Sequence, residues 1–583
     1  MKRFILAVVG LIAVAALFLA QAQQGKLASL IQAGNHKAAL DMIRAGADVN
    51  EAQPDGTRPI HWAVYRVDYD VLEALIAKKA KANVTNELGS TPLAEAVKLN
   101  DVRMVKMLLD AGSGPEGANA DGETALMLAI KDGSLPIVQM LVNAGANVNA
   151  VEKVQEQTPL MWAADATQNA AEMVKLLIAK GAKVNARAKF TDWPSQITSE
   201  PRAQYHSYGG LTPLLYAARN GCYQCVEALV AAGADVNLPS PESVTPLLIA
   251  LDYGHNDVAK FLMDHGANPK VWDVYGRTAL YIAVDKKEGG TGGGFGGGGA
   301  RGAAGAGAAG RGAGGAGRGA GGAGAPGGAG FARGGGNTPP APRGGGPAVS
   351  SMDMINALLV AGVDVNAQLN MRRPSGQGGR FSDPLLSTGT TPLFRAVMNN
   401  DMPVIRALLD KGANPNIFAM GTTPFLLAAG VNPYAGRGGG GGAAAAAPNT
   451  ALLDLLIQHG ADVNSQVTGV LSYSARISRS VSNTEGSSAL HAAVQSGRAD
   501  LVRYLLDHGA RTDLKDRSDR TPLDVAMGVP VKPVPAGAGT ANIPNPYAPE
   551  EVTPAREGQQ APPLGRSASP EIRTMLQEAG QRK

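Results

Sequence analysis

Apolar and polar residues follow one another along this chain in a pattern that repeats about every 33 residues. Each repeat contains two short apolar stretches with the spacing of amphipathic helices, and then a polar segment that ends in a turn. Helices of this length cannot bury their apolar faces alone, so each repeat must pack against its neighbours. The pattern predicts an all-α repeat solenoid of about eleven helix-turn-helix units.

The first helix of each repeat is predicted to begin at a Thr, which is followed by Pro-Leu and then by a pair of alanines. The Thr side chain caps the helix, and Pro at the first helical position loses no hydrogen bond there. The capping position falls at Arg58 (the exception), Thr91, Thr124, Thr158, Thr212, Thr245, Thr278, Thr391, Thr423, Ser488 and Thr521.

The second helix of most repeats ends in a phrase close to Gly-Ala-Asp-Val-Asn, as in residues 229–237 and 456–464. The Gly permits a left-handed residue at the helix end. The residues after it are predicted to form an extended finger that closes in a turn such as Asp121-Gly122.

These phrases resemble the ankyrin repeat, most closely at Thr212-Pro213-Leu214 with Ala217-Ala218 and at residues 488–493. The resemblance extends over nearly the whole chain after residue 22, apart from insertions. It implies helix pairs with β-hairpin-like fingers and a surface that binds protein partners. A partial unit at 27–44 and a last helix at 570–583 are expected to cap the two ends.

The first 22 residues have the pattern of an export signal. Lys2 and Arg3 precede an apolar run over 4–19, and Ala20-Gln21-Ala22 is a small-x-small cleavage site. We expect cleavage after Ala22, a periplasmic or secreted location, and no membrane span in the mature chain. The alternative is an uncleaved segment that anchors the protein in a membrane.

Insertions of two classes interrupt the repeats and divide the chain into segments. Gly/Ala- or Pro-rich insertions between the two helices of a repeat are predicted to be disordered loops; these are 289–347, 436–448 and 528–569. The second class lengthens the fingers, at 187–210, 368–389 and 466–487. Long fingers either bind a partner or cover the solenoid, and both interpretations stay open. The repeats therefore occupy 23–288 and 348–527.

The net charge of +4 does not describe the repeats themselves. Lys2 and Arg3 contribute two positive charges and the block 289–347 contributes five arginines without an acid, which leaves −3 for the rest. A chain without a basic excess is not typical of a nucleic-acid-binding protein. We therefore expect a protein partner and no nucleic acid.

No arrangement of residues in the sequence indicates catalysis, and no cofactor or metal is expected. The chain has two cysteines, Cys222 and Cys225, which are close enough to form a disulfide. The alternatives are a buried unbridged pair or redox activity. His61 and His491 occupy the repeat's motif position, which implies local hydrogen bonding. The sequence contains no zinc-protease, nucleophile-elbow or phosphate-loop motif, so we predict that the protein is not an enzyme.

The resemblance also implies where a partner would bind, namely the finger tips and the exposed end of each first helix. In the regular repeats these positions hold Tyr65, Arg66, Arg219, Asn220, Asp252, Tyr253, Asp273, Tyr275 and Arg277, with the tyrosines as preferred anchors. The long finger 187–210 adds Trp193, Tyr205 and Tyr208. Trp62, Trp162 and Tyr216 form either an aromatic stripe or helix packing.

The sequence thus predicts an exported ankyrin-repeat scaffold that binds a protein through finger tips and concave face. The alternatives are an envelope-associated structural spacer or a non-catalytic accessory subunit of an envelope enzyme. The partner's identity and the oligomeric state stay open.

Overall fold

A computed structural model describes most of the repeat-bearing chain. The described residues are 26–119, 121–191, 208–287, 345–369, 389–419, 421–431, 449–468, 485–530 and 568–581. The predicted signal at 1–22, the insertion 436–448, and most of 289–347, 368–389, 466–487 and 528–569 lie outside them. The chain divides into two compact units: in the described residues, unit 1 runs to Asp273 and includes 345–350, and unit 2 contains the rest.

Unit 1 consists of seven helix pairs among its described residues. Its helices are α1 (Lys26–Gln32), α2 (His36–Arg44), α3 (Pro59–Tyr65), α4 (Tyr69–Ala77), α5 (Pro92–Lys98), α6 (Val102–Asp110), α7 (Ala125–Lys131), α8 (Leu135–Asn143), α9 (Pro159–Asp165), α10 (Ala170–Ala179), α11 (Pro213–Asn220), α12 (Tyr223–Ala231), α13 (Pro246–Asp252) and α14 (Asn256–Asp264). Two short strands, β1 (Phe190–Thr191) and β2 (Tyr208–Gly209), pair antiparallel between α10 and α11.

Unit 2 repeats the same order of elements in the part of the chain that is described. Its helices are α15 (Ala279–Lys286), α16 (Ser351–Val360), α17 (Pro392–Met398), α18 (Met402–Asp410), α19 (Pro424–Ala428), α20 (Thr450–Gln458), α21 (Ala489–Gln495), α22 (Ala499–Asp507), α23 (Pro522–Ala526) and α24 (Pro570–Gln581). The last helix packs against α22 and α23. The predicted all-α repeat class is confirmed.

The first helices begin at the predicted capping residues. Thr91 accepts a hydrogen bond from the backbone N–H of Ala94. Each of the other Thr and Ser caps likewise accepts from the N–H of the residue three positions later. Arg58 lacks such an oxygen. Instead, the His61 ring nitrogen Nδ1 accepts from the Arg58 N–H at 3.1 Å, and the Arg58 guanidinium donates to the Asn50 carbonyl.

Small and branched apolar residues fill the space between successive pairs. First helices pack on first helices, as α5 packs on α3 and α7. The alanines of the motif, such as Ala63, Ala96 and Ala129, are fully buried at this contact. Because they carry only a methyl group, neighbouring backbones can approach closely.

Within each unit, an asparagine ladder connects several of the repeats to the next one. In unit 1, Asn237 donates to the Gly266 carbonyl at 3.0 Å and accepts from the Asn268 N–H at 2.8 Å. In unit 2, Asn416 makes the same two bonds to Gly460 and Asp462. The final Asn of the repeated phrase thus bonds to the neighbouring repeat, and Asn416 does so although the insertion 436–448 lies between it and its partners in sequence.

The long fingers leave and rejoin the repeats at closed bases. Ala188 donates to the Leu211 carbonyl and Gly210 donates to that of Lys189. Leu369 with Thr390 and Gly389, and Val467 with Ser487 and Gly486, repeat this pairing in unit 2. Since both ends of each insertion meet, the repeat register continues past it. Within the described residues, no helix has the length and apolar character needed to cross a bilayer.

Candidate partner-binding surface

The neighbouring first helices α9 and α11 of unit 1 carry the aromatic residues Trp162 and Tyr216. Tyr216 is 7% exposed, and its hydroxyl accepts a hydrogen bond from Gln157 Nε2 at 2.6 Å. Burial raises the pKa of this hydroxyl. Trp162 is partly exposed and lies beneath Lys131, whose Nζ is 5.7 Å from the ring centroid. Its Nε1 is buried with no hydrogen-bond partner among the described residues.

Trp62, the third aromatic residue of the predicted stripe, lies on α3. It donates to Gln53 Oε1 at 2.8 Å and contacts the edge of Tyr65, with ring centroids 5.7 Å apart. Tyr216 therefore serves mainly in packing, whereas Trp62 and Trp162 keep part of their rings at the surface.

Arg219 and Asn220, at the end of α11, both bind Asp165 at the end of α9. Arg219 Nη2 lies 2.6 Å from Asp165 Oδ1, and Asn220 Nδ2 donates to the same oxygen at 2.7 Å. The guanidinium also stacks on Tyr216, 4.9 Å from its centroid. The arginine is 21% exposed and the aspartate 45%. The arrangement presents a preorganised polar cluster with access to water.

The other predicted residues at the helix ends differ in exposure. Tyr65 is 61% exposed and Tyr253 38%, whereas Asp252 is half-buried. Arg66 is exposed and donates through Nε to the Gln32 carbonyl at 2.8 Å. The role of these residues in binding stays a prediction.

The predicted tip residues Asp273, Tyr275 and Arg277 are not exposed. Their side chains are 1%, 8% and 4% exposed, so the expectation that they form an accessible tip is wrong. Residues 274–275 form a turn that is followed by Gly276 with a φ of +78°, and the three buried side chains lie in or beside this turn. Arg277 lies 6.0 Å from the Tyr275 ring centroid.

The exposed aromatic residue of this finger is Trp272, which sequence reasoning missed. Trp272 is 59% exposed. Other fingers of unit 1 also expose large apolar side chains, namely Leu88 (77%), Val151 (52%), Val154 (54%) and Phe190 (50%). Large apolar residues inside otherwise polar finger segments were the available sequence signal.

The long finger 187–210 is described only at its base. Trp193 and Tyr205 lie outside the described residues, and so does the side chain of Tyr208, whose backbone pairs in β2. Gly209 has a φ of +87°, and a Cβ there would lie 2.6 Å from the Lys189 carbonyl oxygen. The close crossing of the two chain segments at this base therefore requires a glycine.

The two cysteines are joined in a disulfide, Cys222–Cys225, with their Cα atoms 5.2 Å apart. Cys222 is the N-cap of α12, and Cys225 lies in its first turn. The described residues contain no group of three or more His, Cys, Asp or Glu side chains arranged to hold a metal ion.

The motif histidines form hydrogen bonds between repeats. His61 Nε2 lies 3.3 Å from the Ser90 carbonyl oxygen, and His491 Nε2 lies 2.9 Å from that of Arg520. Burial lowers the pKa of both rings, so each is neutral and can donate through Nε2 while Nδ1 accepts from its own helix cap.

Comparison with known proteins gives the same family along most of the chain. The family model "Ankyrin repeats (3 copies)" matches residues 27–117, 112–188, 214–290 and 442–528, and "Ankyrin repeat" matches 388–418. Similar proteins include alpha-latrocrustotoxin-Lt1a of Latrodectus tredecimguttatus, 27% identical over 24% of this chain, and cortactin-binding protein 2 of Rattus norvegicus, 32% identical over 25%. A probable E3 ubiquitin-protein ligase, XBOS32, of Oryza sativa subsp. japonica is 37% identical over 14%. These matches span 8%, 8% and 17% of the relatives' own lengths.

Proposed function

The chain belongs to the ankyrin repeat family, and on that premise we propose that it is an exported, non-catalytic scaffold that binds a protein partner through the fingers and concave face of unit 1. Ankyrin repeats generally mediate protein–protein interaction. The export, the surface used and the chemistry of the partner are the specific parts of this proposal.

The observation that carries the proposal is the set of exposed apolar side chains on the fingers of unit 1. Leu88, Val154, Phe190 and Trp272 are each at least half exposed. Large apolar side chains exposed on four fingers of one unit are a signal of an interaction surface, which a partner would cover. Tryptophan in particular contributes much of the binding energy at protein interfaces.

The charges on the first four fingers favour a partner with a basic surface. These fingers contain the acids Asp48, Glu51, Asp55, Glu87, Glu116, Asp121, Glu123, Glu152 and Glu156, and the bases Lys81 and Lys153. Several of these acids hold their own finger, as Glu152 accepts from the backbone N–H groups of Val154 and Gln157. Glu87, Asp121 and Glu156 are exposed. Their charge would repel the phosphates of a nucleic acid and attract a basic protein.

Affinity capture with matched variants tests the binding surface. The bait is the chain without residues 1–22, compared with a variant carrying Leu88→Ser, Val154→Ser and Trp272→Ser. The control carries Val102→Ser, which changes a 43% exposed apolar residue on the outer helix α6. We expect the finger variant to lose a specific protein that the wild type and the control both retain. Equal capture by all three baits would refute the proposed surface.

Export is tested separately by the N-terminal sequence of the protein recovered from its native cells. Cleavage of the segment 1–22 would give a chain that starts at Gln23 in a periplasmic or culture fraction. Recovery of the intact N-terminus from the cytoplasm would exclude export and leave the binding surface to be judged by affinity capture.

A further inference from the structure

Residues 345–350, which we call the strap, follow the Gly-rich insertion and precede α16. They lie in unit 1 against the first turns of α12 and α14. A Cβ at Gly346 would lie 2.5 Å from Asp257 Oδ2 and 2.7 Å from Tyr223 Cδ2. A Cβ at Gly345 would lie 3.2 Å from Gln224 Nε2. The strap therefore contacts this surface through the backbone of Gly345 and Gly346, while residues 347, 348 and 350 are exposed, and the predicted boundary of the insertion at residue 347 falls inside the strap.

The surface under the strap is the disulfide loop. Tyr223 and Gln224 are the two residues between Cys222 and Cys225. On its other side the Tyr223 ring meets the edge of Phe261, with centroids 5.3 Å apart. The strap thus contacts the only segment of unit 1's described residues that is closed by a disulfide.

The disulfide stands at the N-terminus of α12, the position where the outer helices α4 and α6 have a side-chain cap. Asp68 and Asp101 accept hydrogen bonds from the N–H groups of Val71 and Met104, three residues on. Cys222 makes no such side-chain bond and is instead joined covalently to the residue three positions later. The covalent link therefore fixes the turn that carries Tyr223 and Gln224.

The two cysteines differ in burial. Cys225 is fully buried, whereas Cys222 is 8% exposed and lines a shallow cleft together with Ala166, Thr167 and Glu172. This cleft is the side from which an incoming thiolate would approach Cys222. Cys225 would be the leaving group, and its thiolate would form in the first turn of α12, where backbone N–H groups stabilise negative charge.

We propose that Cys222–Cys225 is a reducible site that controls whether the strap is held on unit 1. The thiolate of an external dithiol forms a bond to Cys222 Sγ, and the Cys222–Cys225 bond breaks with its electron pair on Cys225. The second thiol of the reductant then displaces Cys222, which leaves two cysteine thiols and an oxidised dithiol. Unbonded sulfurs must move apart. Because Cys225 is buried, we expect Cys222 and the turn that follows it to move. This turn carries Tyr223, which lies directly against Gly346, so its movement would displace the strap.

Electron paramagnetic resonance of a nitroxide at Ala348 tests this coupling in the full chain. The label is attached through a ketone-bearing amino acid, so no third thiol is introduced. In the oxidised protein we expect an immobilised spectrum and no titratable thiol. Treatment with dithiothreitol should yield two thiols per chain and loss of the immobilised component. Retention of the immobilised component after both thiols titrate would overturn the proposal, and so would failure of the folded protein to be reduced.

Two variants separate the disulfide from the strap contact. Cys222→Ser with Cys225→Ser should give the mobile spectrum without reductant and no response to it. Gly346→Val keeps the disulfide but displaces the strap, so its label should be mobile in both redox states. Circular dichroism verifies that each variant is folded. An immobilised label in the double serine variant would show that the disulfide does not hold the strap.

The single variants test which sulfur is attacked. With Cys225→Ser, the remaining Cys222 should form a mixed disulfide with glutathione disulfide at least about tenfold faster than Cys225 does in Cys222→Ser, because only Cys222 faces the cleft. Equal rates would overturn the assignment of Cys222 as the reactive sulfur.

Discussion

Two ion pairs connect successive first helices, one in each unit, and they differ mainly in burial. In unit 1, Asp165 and Arg219 are 45% and 21% exposed. In unit 2, Asp285 and Arg395 approach to the same 2.6 Å, but they are 14% and 12% exposed. A partly hydrated pair contributes little to stability and keeps its charges available to a partner. A buried pair is costly to disrupt, because the charge left behind has lost its water.

The two ion pairs also differ in the hydrogen bonding around them. Asp285 Oδ1 and Arg395 Nε face each other without hydrogen-bond alignment, and Arg395 Nη1 is buried with no hydrogen-bond partner in the described part of the chain. Close by in sequence, Lys287 Nζ binds Asp401 at 2.7 Å, also with little exposure. We infer that these charges of unit 2 are structural, whereas those of unit 1 are suited to recognition.

The largest expected effect is therefore that of Arg395→Met. Leaving Asp285 buried without its counter-charge should destabilise unit 2 by about 3–5 kcal/mol. Urea unfolding followed by circular dichroism measures the loss. The double variant Asp285→Leu with Arg395→Met should recover most of it, since neither charge then remains. A loss below about 1 kcal/mol for the single variant would show that water reaches this pair.

The motif histidines, unlike the ion pairs, do not differ in burial between the units. One lies in each unit, and both are buried. His491→Ala removes the bond to the Arg520 carbonyl and the acceptor for the Ser488 N–H, so we expect a loss of about 1–3 kcal/mol. His61→Ala should have a similar effect in unit 1. Thermal melts of both variants at pH 7.5 measure these losses. A large difference between the two losses would mean that the position of the repeat in the chain, rather than the burial of the histidine, determines the loss of stability.

The same histidines predict the pH dependence of folding. Burial holds the pKa of each ring below its ordinary value of 6.5, so the unfolded chain binds protons more readily than the folded one. The stabilisation is complete above pH 6.5 and falls as the pH drops below it. Melting temperatures measured between pH 7.5 and 5.5 should decrease, and the decrease should be smaller in the two alanine variants. Identical pH profiles would assign the acid sensitivity to other groups.

The asparagine ladder gives a smaller effect that should be equal in both units. Asn237→Ala and Asn416→Ala each remove two exposed hydrogen bonds to the next repeat, for which water substitutes in part. We expect a loss of about 1 kcal/mol for either change. Chemical denaturation of the two variants side by side provides the measurement. Unequal losses would show that the repeats of one unit depend more on this connection.

These comparisons also indicate what the sequence could and could not predict. The helices follow from Thr caps and apolar spacing, which are local properties, so their positions were predictable. The exposure of a finger residue depends on how that finger turns, which the repeat pattern does not specify. The sequence therefore led us to expect an exposed Tyr275, whereas Trp272 is the exposed aromatic residue of that finger. The contact of the strap leaves no periodic pattern in the sequence, because it uses the backbone of Gly346 against Tyr223.

The smallest effect on stability is expected for Arg219→Met. This variant tests most directly whether the exposed ion pair of unit 1 differs in its role from the buried pair of unit 2. Asp165 is nearly half exposed, so water can solvate the carboxylate once the guanidinium is removed, and methionine can still cover the Tyr216 ring. Unfolding in urea should therefore change by less than about 1 kcal/mol. The same change removes a charge that the proposed partner would meet at the end of α11, so capture of the partner by the variant should fall while its folding does not. A loss of stability approaching that of Arg395→Met would show that the unit 1 pair is structural too, and the proposed recognition surface would then reduce to the apolar finger tips.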